Sequence, residues 1–288
     1  MAVSASFDAL SAVRKGWQLF RNRELLSLVV LAVFVSSMFD IISVISSRTM
    51  ETHPAATGLI VLGAMAIFII SQMYFWPKIL HAAMNLAGVV VKKPAPGVLD
   101  WLIFTARMVV VNFFCLYDKR LLIPAFAFIA AGFVLAPIAV LKDSNSMFDA
   151  AALIAGIGLM AWLVAIFIHC IRTCFASFIF VRGDGNAAYS IRTSFDRTRG
   201  RMVEIFLALI VIGIFVIPLP LAIGFISTGI EEAAASFGWV EWAGPIAGIV
   251  VTYPLAVIYG ALLPVVMSQL FGFFDKKLGF AKKTKTAN

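Results

Sequence analysis

The chain has 288 residues, of which 62% are hydrophobic and 13% are charged, and its formal net charge is +8. A water-soluble protein of this size has no core that could bury so much apolar surface, so the composition predicts a helical membrane protein with several crossings. The basic residues occur in short patches beside apolar runs. This pattern is typical of membrane topology signals, and it predicts no nucleic-acid partner.

The first predicted element is an amphipathic helix over residues 5–22 that lies on the membrane surface. Apolar residues recur along it at spacings of three and four: Leu10, Val13, Trp17 and Phe20. Arg14 and Lys15 face away from this stripe. An apolar stripe that includes tryptophan, with a basic face opposite, is what an interfacial helix needs.

The stretch Trp17–Asp40 joins this helix to a long apolar run, and similar stretches return twice along the chain. Each copy has an arginine before its apolar run: Arg23, then Arg120 97 residues later, then Arg201 a further 81 residues later. The residues seventeen positions after these arginines are Asp40, Pro137 and Pro218. The repeats predict an all-α fold of three hairpins, at about 5–90, 98–181 and 186–274, each led by an interfacial helix.

Hydropathy predicts six transmembrane helices, because six apolar runs are long enough to cross a bilayer. Their expected ranges are 25–47, 58–76, 121–141, 150–170, 203–227 and 244–271. We expect a single transmembrane domain over residues 1–274. A basic cytoplasmic tail is expected over residues 275–288.

Residues 101–117 are apolar enough to resemble a seventh crossing, but the stretch contains Arg107 and Asn112. With six crossings, 21 of the 23 basic residues fall on the side that holds both termini. A seventh crossing would destroy this asymmetry, so the positive-inside rule favours six and places both termini in the cytoplasm. We therefore predict that 101–117 is interfacial or re-entrant, and that 187–200 forms a third surface helix.

Proline and glycine mark the expected helix ends. KKPAPG, residues 92–97, is expected to end the second crossing, and the two prolines within Ile217–Leu221 are expected to break the fifth. RGDGN, which starts at Arg182, is expected to form a turn in which Asp184 and Asn186 cap the next helix.

Asp40 is the sharpest candidate functional residue, since an ionisable side chain within a span is costly in lipid. It has two interpretations: a carboxylate at the outer boundary of the membrane, or a proton or cation site that faces the bundle. The second interpretation gains weight from the prolines at the equivalent repeat positions, Pro137 and Pro218, where unpaired carbonyls would share such a site.

His81, His169 and Arg172 form a second candidate group near the expected cytoplasmic boundary. They fit either a pocket for a headgroup or phosphate, or snorkelling and aromatic packing. Cys170 and Cys174 lie one helical turn apart, but packing is the favoured interpretation, so the sequence predicts no metal and no cofactor. The basic surface residues predicted to contact anionic lipid headgroups, or merely to fix the topology, are Arg14, Lys15, Arg107, Arg192 and Arg197.

No nucleotide-binding loop, zinc-protease motif or serine-hydrolase motif is present. The stretches KGWQLFRNRELLSLVVLAVFV and FVRGDGNAAYSIRTSFDRTRGRMVEIFLAL resemble uncharacterised bacterial inner-membrane families of similar size. They are also similar to the membrane domain fused to some glycerophosphodiester phosphodiesterases. The resemblance implies a bacterial inner-membrane protein. It implies no catalytic residues, because those families carry none in the membrane part and this chain shows no phosphodiesterase domain.

Two functions stay open at this point. The first is a non-enzymatic membrane protein, which either handles lipids or small amphiphiles or organises a membrane complex with protein partners. The second is an intramembrane enzyme that acts on a lipid headgroup through His81, His169 and Asp40. Enzymes of that kind need several acids or histidines on one side, and the sequence places these few on both sides, so it favours the first function.

Overall fold

The protein is all-helical in its computed structural model, which describes residues 8–50, 53–117, 119–142 and 144–278. Helices account for 86% of the residues, and the described ranges contain no strand. Eleven α-helices are described: α1 Ala9–Leu19, α2 Arg23–Thr49, α3 Pro54–Leu86, α4 Val98–Phe113, α5 Lys119–Leu141, α6 Asn145–Thr173, α7 Ala176–Arg182, α8 Ala187–Thr198, α9 Met202–Val216, α10 Pro218–Ser236 and α11 Ala243–Leu278. A short 3-10 turn, Arg199–Arg201, joins α8 to α9.

Six helical stretches in the described ranges are long and apolar enough to cross a membrane. They are Arg23–Ser47, Pro54–Leu86, Leu122–Leu141, Asn145–Arg182, Ala187–Ser236 and Ala243–Leu278. Within Pro54–Leu86, only 6% of the most apolar window is buried inside the protein. Apolar helices with so little protein cover are compatible with an integral membrane protein that crosses the bilayer several times.

The chain divides into two compact units. The first unit holds residues up to 102, residues 181–184 and everything described from 206 onward. In it α2 packs on α3, α10 packs on α11, and α11 also packs on α1, α2 and α3. Its core includes Leu25 and Val29 of α2, Ala83 of α3, and Ala261 and Val265 of α11.

Small residues allow these helices to approach closely. A Cβ at Gly260 would lie 2.9 Å from Val29, and one at Gly16 would lie 2.6 Å from Val266. The face of α1 that contains Gly16 is buried against α11, whereas Trp17 is exposed. The helix predicted over residues 5–22 is therefore docked on the bundle through one face and exposes tryptophan on another. Residues 5–7 lie outside the described ranges.

The second unit holds residues 103–180 and 185–205. Its main pair is α5 on α6, and α8 packs on α6. Two glycines bring α5 and α6 together: a Cβ at Gly132 would lie 2.6 Å from that of Ala155, and one at Gly158 would lie 2.8 Å from the Ala125 carbonyl oxygen. Contact at this distance is typical of membrane helices that associate through small residues.

Glycines in the left-handed conformation end two of the helices. Gly88 follows α3 with φ of 76°, and Val89 N donates to Met84 O at 2.9 Å. Gly238 follows α10 with φ of 69°, and Trp239 N donates to Ala234 O at 3.0 Å. Both are Schellman caps, in which only glycine adopts the required backbone without strain. The helix predicted to run up to residues 92–97 thus ends earlier, at Gly88.

The other predicted helix breaks and caps are confirmed in part. The fifth apolar stretch breaks at Ile217, between α9 and α10, as the two prolines predicted. Asn186 caps α8 by accepting from Tyr189 N at 2.9 Å, as predicted. The assignment of Asp184 as a second cap is wrong, because its carboxylate pairs instead with Arg182 and Lys92.

The three arginines of the repeat occupy matching places. Arg23 is the first residue of α2, Arg120 is the second of α5, and Arg201 directly precedes α9. Each therefore stands where an apolar helix begins, as the alignment of the three stretches required. Whether the three hairpins superpose, and whether their leading helices lie at one depth, stay predictions.

The surface helix predicted over 187–200 is α8, and its buried residues face inward in the second unit. Arg192, Asp196 and Arg197 lie on its exposed side, which carries no large apolar side chain. Helix α4, which overlaps the range 101–117 predicted as interfacial or re-entrant, instead exposes Val109, Val110 and Phe113. Helix α4 thus exposes mainly apolar side chains besides Asp100 and Arg107, whereas α8 exposes charged ones.

Candidate functional site

A charged pocket of about 620 Å³ lies in the first unit, beside the N-terminal end of α1 and the C-terminal ends of α3 and α11. A pocket of this volume suits a small molecule or a lipid headgroup. Four separate parts of the chain line it: Asp8, Ser11, Ala12, Lys15, Ala87, Gly88, Val89, Val90, Lys92, Arg182, Gln269, Gly272, Phe273, Asp275 and Lys276. The α3 cap described above supplies Gly88, so the early end of that helix helps to form the pocket.

Arg182 is the centre of an ion-pair network in the pocket wall. Its guanidinium pairs with the Asp184 carboxylate, and its Nη1 atom lies 2.6 Å from Asp275 Oδ2. Lys92 Nζ lies 2.5 Å from Asp184 Oδ1. The side chains of Arg182 and Asp184 are only 3% and 2% exposed. Buried charges need such partners, and here they tie the 182–184 turn to α11 and to the segment after α3.

One face of α11 forms a side of the pocket. Gln269, Gly272, Phe273 and Lys276 follow one another at spacings of three and four residues, so they share that face. Gly272 permits close contact with the segment after α3, because a Cβ there would lie 3.1 Å from Val89. Along this wall, the apolar ring of Phe273 lies between the polar side chains of Gln269 and Lys276 in sequence.

Two buried polar atoms that belong to lining residues have neither a hydrogen bond nor an ion pair with a described residue. They are Gln269 Nε2, which is a donor, and Asp275 Oδ1, which is an acceptor. The other carboxylate oxygen of Asp275 is the one paired with Arg182. Buried polar groups are satisfied in the great majority of cases, so two such atoms at one pocket point to a ligand that supplies both an acceptor and a donor.

The pocket also has a positive balance, since four of its lining residues are cationic and two are acidic. Arg182 and Lys92 are engaged in the ion-pair network. Lys15 and Lys276, in contrast, have no ion-pair partner among the described residues, and both are exposed at the pocket. Two unpaired ammonium groups beside a pocket attract an anion such as a phosphate.

His169 and Arg172 are deeply buried in the second unit, where they pack against one residue of α8. The ring centroids of His169 and Phe195 lie 4.5 Å apart, and Arg172 Cζ lies 3.3 Å from the centre of the Phe195 ring. Arg172 Nη2 also donates to Phe195 O at 3.2 Å. Aromatic and cation–π packing therefore accounts for this pair, and the two residues stabilise the α6–α8 contact.

Hydroxyl groups of α8 complete this contact. Ser194 Oγ and Thr198 Oγ1 each donate to the Arg172 carbonyl oxygen at 2.9 Å. Helix α6 ends at Thr173, so the Arg172 carbonyl lies in the last turn, where no intrahelical donor is available. The two hydroxyls replace that donor and cap α6 from a neighbouring helix.

His81 belongs to the first unit and is half-buried on α3. Its Nε2 atom lies 3.2 Å from Lys93 O, and its Nδ1 atom lies 3.3 Å from Asn85 Nδ2. A carbonyl oxygen can only accept and an amide nitrogen can only donate, so these contacts fit a neutral ring with the proton on Nε2. His81 thus links α3 to the segment that carries Lys92, and it is not a pocket-lining residue.

Asp40 is exposed on α2 and makes no hydrogen bond or ion pair with another described residue. The neighbouring Phe39 stacks on Phe68 with ring centroids 5.0 Å apart. Phe68 precedes His81 by thirteen residues of α3, which correspond to about 20 Å along a helix. The structure therefore does not bring Asp40 and His81 together, and whether Asp40 holds a cation stays a prediction.

The five residues predicted to contact lipid headgroups are Arg14, Lys15, Arg107, Arg192 and Arg197, and all of them are exposed. Lys15 is the one that lines the pocket. Arg192 forms an exposed ion pair with Asp196 at 3.6 Å, which contributes little to stability. Exposure leaves all five able to meet headgroups.

Sequence reasoning missed the pocket itself, including Gln269, Asp275, Lys276 and Lys92. A signal was present, because Gln269 is a polar residue within the mostly apolar run of α11. Among the described residues, no three His, Cys, Asp or Glu side chains are placed to hold a metal ion. Comparisons with protein-family models, with curated proteins and with solved structures found no match to this chain.

Proposed function

We propose that this protein is a non-enzymatic, multi-pass protein of the bacterial inner membrane that binds lipids or small amphiphiles. Both termini are cytoplasmic in this proposal, and the pocket of the first unit faces the inner headgroup layer. The partition of basic residues supports the orientation, since 21 of the 23 fall on the side of the termini.

The observation that carries the proposal is the position of the charged pocket beside α1. Helix α1 exposes Leu10 and Trp17, and both are residues that favour the membrane interface when they point outward. The same helix contributes Lys15 to the pocket. A lipid whose headgroup is bound at Lys15 would have its acyl chains beside the exposed apolar surface of the helices.

Lipid retention during purification tests this proposal. The full chain is extracted in mild detergent, and its bound lipids are quantified by mass spectrometry against the lipid composition of the source membrane. We expect selective enrichment of anionic lipid, and the double substitution Lys15→Gln with Lys276→Gln should lower it several-fold. The control, Lys142→Gln with Arg199→Gln, removes the same charge at exposed positions that do not line the pocket.

Two results would contradict the proposal. If the bound lipid has the same composition as the source membrane, the protein has no lipid selectivity. An equal loss of anionic lipid in the control variant would show that net charge, and not the pocket, attracts the lipid. Stoichiometric co-purification of other membrane proteins without enriched lipid would instead favour a role in organising a complex.

A further inference from the structure

The pocket offers more than positive charge, because two of its polar atoms require particular chemistry. Gln269 Nε2 needs an acceptor, and Asp275 Oδ1 needs a donor. A carboxylate facing a ligand disfavours a bare anion, since like charges repel. The ligand must therefore bring a hydrogen-bond donor to Asp275 as well as an anionic group to the lysines.

A hydroxyl group meets both needs, since it donates through its hydrogen and accepts through its oxygen. An anionic phosphate meets the requirement of Lys15 and Lys276, which line the same pocket. Gln269 and Asp275 are six residues apart on α11, which corresponds to about 9 Å along the helix. A ligand that engages both of them needs more than one polar group along its length.

We infer that the pocket binds a phosphate ester that carries hydroxyl groups, with a polyol-phosphate headgroup of an anionic lipid as its ligand. The phosphate lies between the ammonium groups of Lys15 and Lys276. The hydroxyls accept from Gln269 Nε2 and donate to Asp275 Oδ1. This inference rests on the proposed lipid-binding function and adds the class of headgroup.

The inference also explains why a polar residue stands at position 269. A buried donor without a partner carries a free-energy cost in the folded state. Leucine at that position would remove this cost and fit the apolar run of α11. The glutamine therefore lowers the stability of the unliganded protein, as is common for residues that are kept for binding.

The test compares two lipids of equal charge in native mass spectrometry of the full chain in detergent. Phosphatidylglycerol carries two headgroup hydroxyls, and phosphatidylmethanol with the same acyl chains carries none. We expect phosphatidylglycerol to bind about ten- to thirtyfold more tightly, which corresponds to about two hydrogen bonds. The substitution Gln269→Leu should reduce this preference to about three- to fivefold, because the hydroxyl contact with Asp275 remains, while the binding of phosphatidylmethanol persists. Gln269→Met serves as a second variant.

A thermal melt without added lipid gives an independent readout. Gln269→Leu should raise the melting temperature of the chain, whereas loss of a merely structural hydrogen bond would lower it. The double variant Lys15→Gln with Lys276→Gln should weaken both lipids by a similar factor. That result separates recognition of the phosphate from recognition of the hydroxyls.

Each remaining outcome is decisive. Equal affinity of the wild type for the two lipids would overturn hydroxyl recognition and leave the proposed lipid function intact. Absence of binding by either lipid would overturn both. Soluble sn-glycerol 3-phosphate that binds as tightly as phosphatidylglycerol would support the headgroup chemistry and overturn the proposed lipid function.

Discussion

At the scale of single residues, Arg172 shows how a charged group becomes part of a helix contact. It is 7% exposed, its guanidinium lies over the Phe195 ring, and its nitrogens donate to the Phe195 carbonyl oxygen. A planar guanidinium can do both at once, whereas a lysine ammonium cannot. The residue was a candidate ligand group from sequence because a buried arginine and a functional arginine look alike there.

Arg172→Lys should therefore destabilise the protein, although it keeps the charge. We expect a loss of about 2–4 kcal/mol in the free energy of unfolding, since stacking and a buried charge-assisted hydrogen bond are both lost. Unfolding in mixed micelles with increasing denaturing detergent measures it. The matched change Arg192→Lys, at an exposed position, should stay within about 0.5 kcal/mol. Equal effects in the two variants would contradict this role for Arg172.

A second prediction for a single residue concerns Asp184. The substitution Asp184→Asn keeps the shape of the side chain but removes the charge that pairs with Arg182 and Lys92. Removal of the sole partner of a buried charge costs about 3–5 kcal/mol, but Arg182 keeps Asp275 as a partner and Lys92 is half-exposed, so we expect a cost of about 1–3 kcal/mol. The same unfolding measurement checks it, with the exposed Asp196→Asn as control. A cost below about 1 kcal/mol would show that the network is solvated.

The sequence shows that these residues are charged or aromatic, but it does not show which residues they contact in the fold. Asp184 follows glycine and precedes Gly185, so local rules assigned it to a helix cap. Its actual partners include Lys92, ninety-two positions earlier, and no local pattern encodes a contact at that separation. His169 and Phe195 were likewise too far apart in sequence for a packing partner to be named.

At the scale of elements, the close packing of α5 on α6 depends on two glycines, Gly132 and Gly158, whose role is not evident from the sequence. Gly132→Ala would place a Cβ 2.6 Å from Ala155 and 2.8 Å from the Ala151 carbonyl oxygen. The helices must then separate, and overpacking of this kind costs about 1–3 kcal/mol. A melting curve in detergent measures the effect.

Gly156→Ala on α6 is the matched control for this prediction. A Cβ at Gly156 meets no atom within 4 Å, so only the helix propensity changes. Alanine favours a helix over glycine by about 0.5–1 kcal/mol, and we expect Gly156→Ala to be neutral or slightly stabilising. If both alanine variants change the melting temperature by the same amount, the close contact of α5 and α6 at Gly132 is contradicted.

The helices themselves were largely predictable, because apolar length is a strong signal in membrane proteins. Each of the six predicted ranges lies within a described helical stretch or overlaps one, and several helices extend beyond the range predicted for the crossing itself. Helix α11 continues to Leu278 through Pro254 and Pro264, and α3 continues to Leu86 through Pro77. Neighbouring helices stabilise such prolines, so proline alone did not mark the ends.

At the scale of the whole molecule, the composition and the six apolar helices are compatible with an integral membrane protein, and the pocket is the basis of the proposed ligand. The pocket could not be predicted because α1, the segment after α3, Arg182 and α11 meet only in the fold. The charge partition, in contrast, is a property of the sequence alone. The orientation proposed here therefore rests on the sequence, and the site rests on the structure.

Cysteine accessibility tests the orientation, and with it the placement of the pocket at the inner headgroup layer. Cysteines are introduced one at a time at the exposed positions Ser146, Asp196 and Gln18, after Cys170 and Cys174 are replaced by alanine; the remaining Cys115 is buried. Intact cells are treated with a membrane-impermeant maleimide before and after permeabilisation. We expect Ser146→Cys to be labelled in intact cells, and Asp196→Cys and Gln18→Cys to be labelled only after permeabilisation. Labelling of Gln18→Cys in intact cells would contradict this orientation.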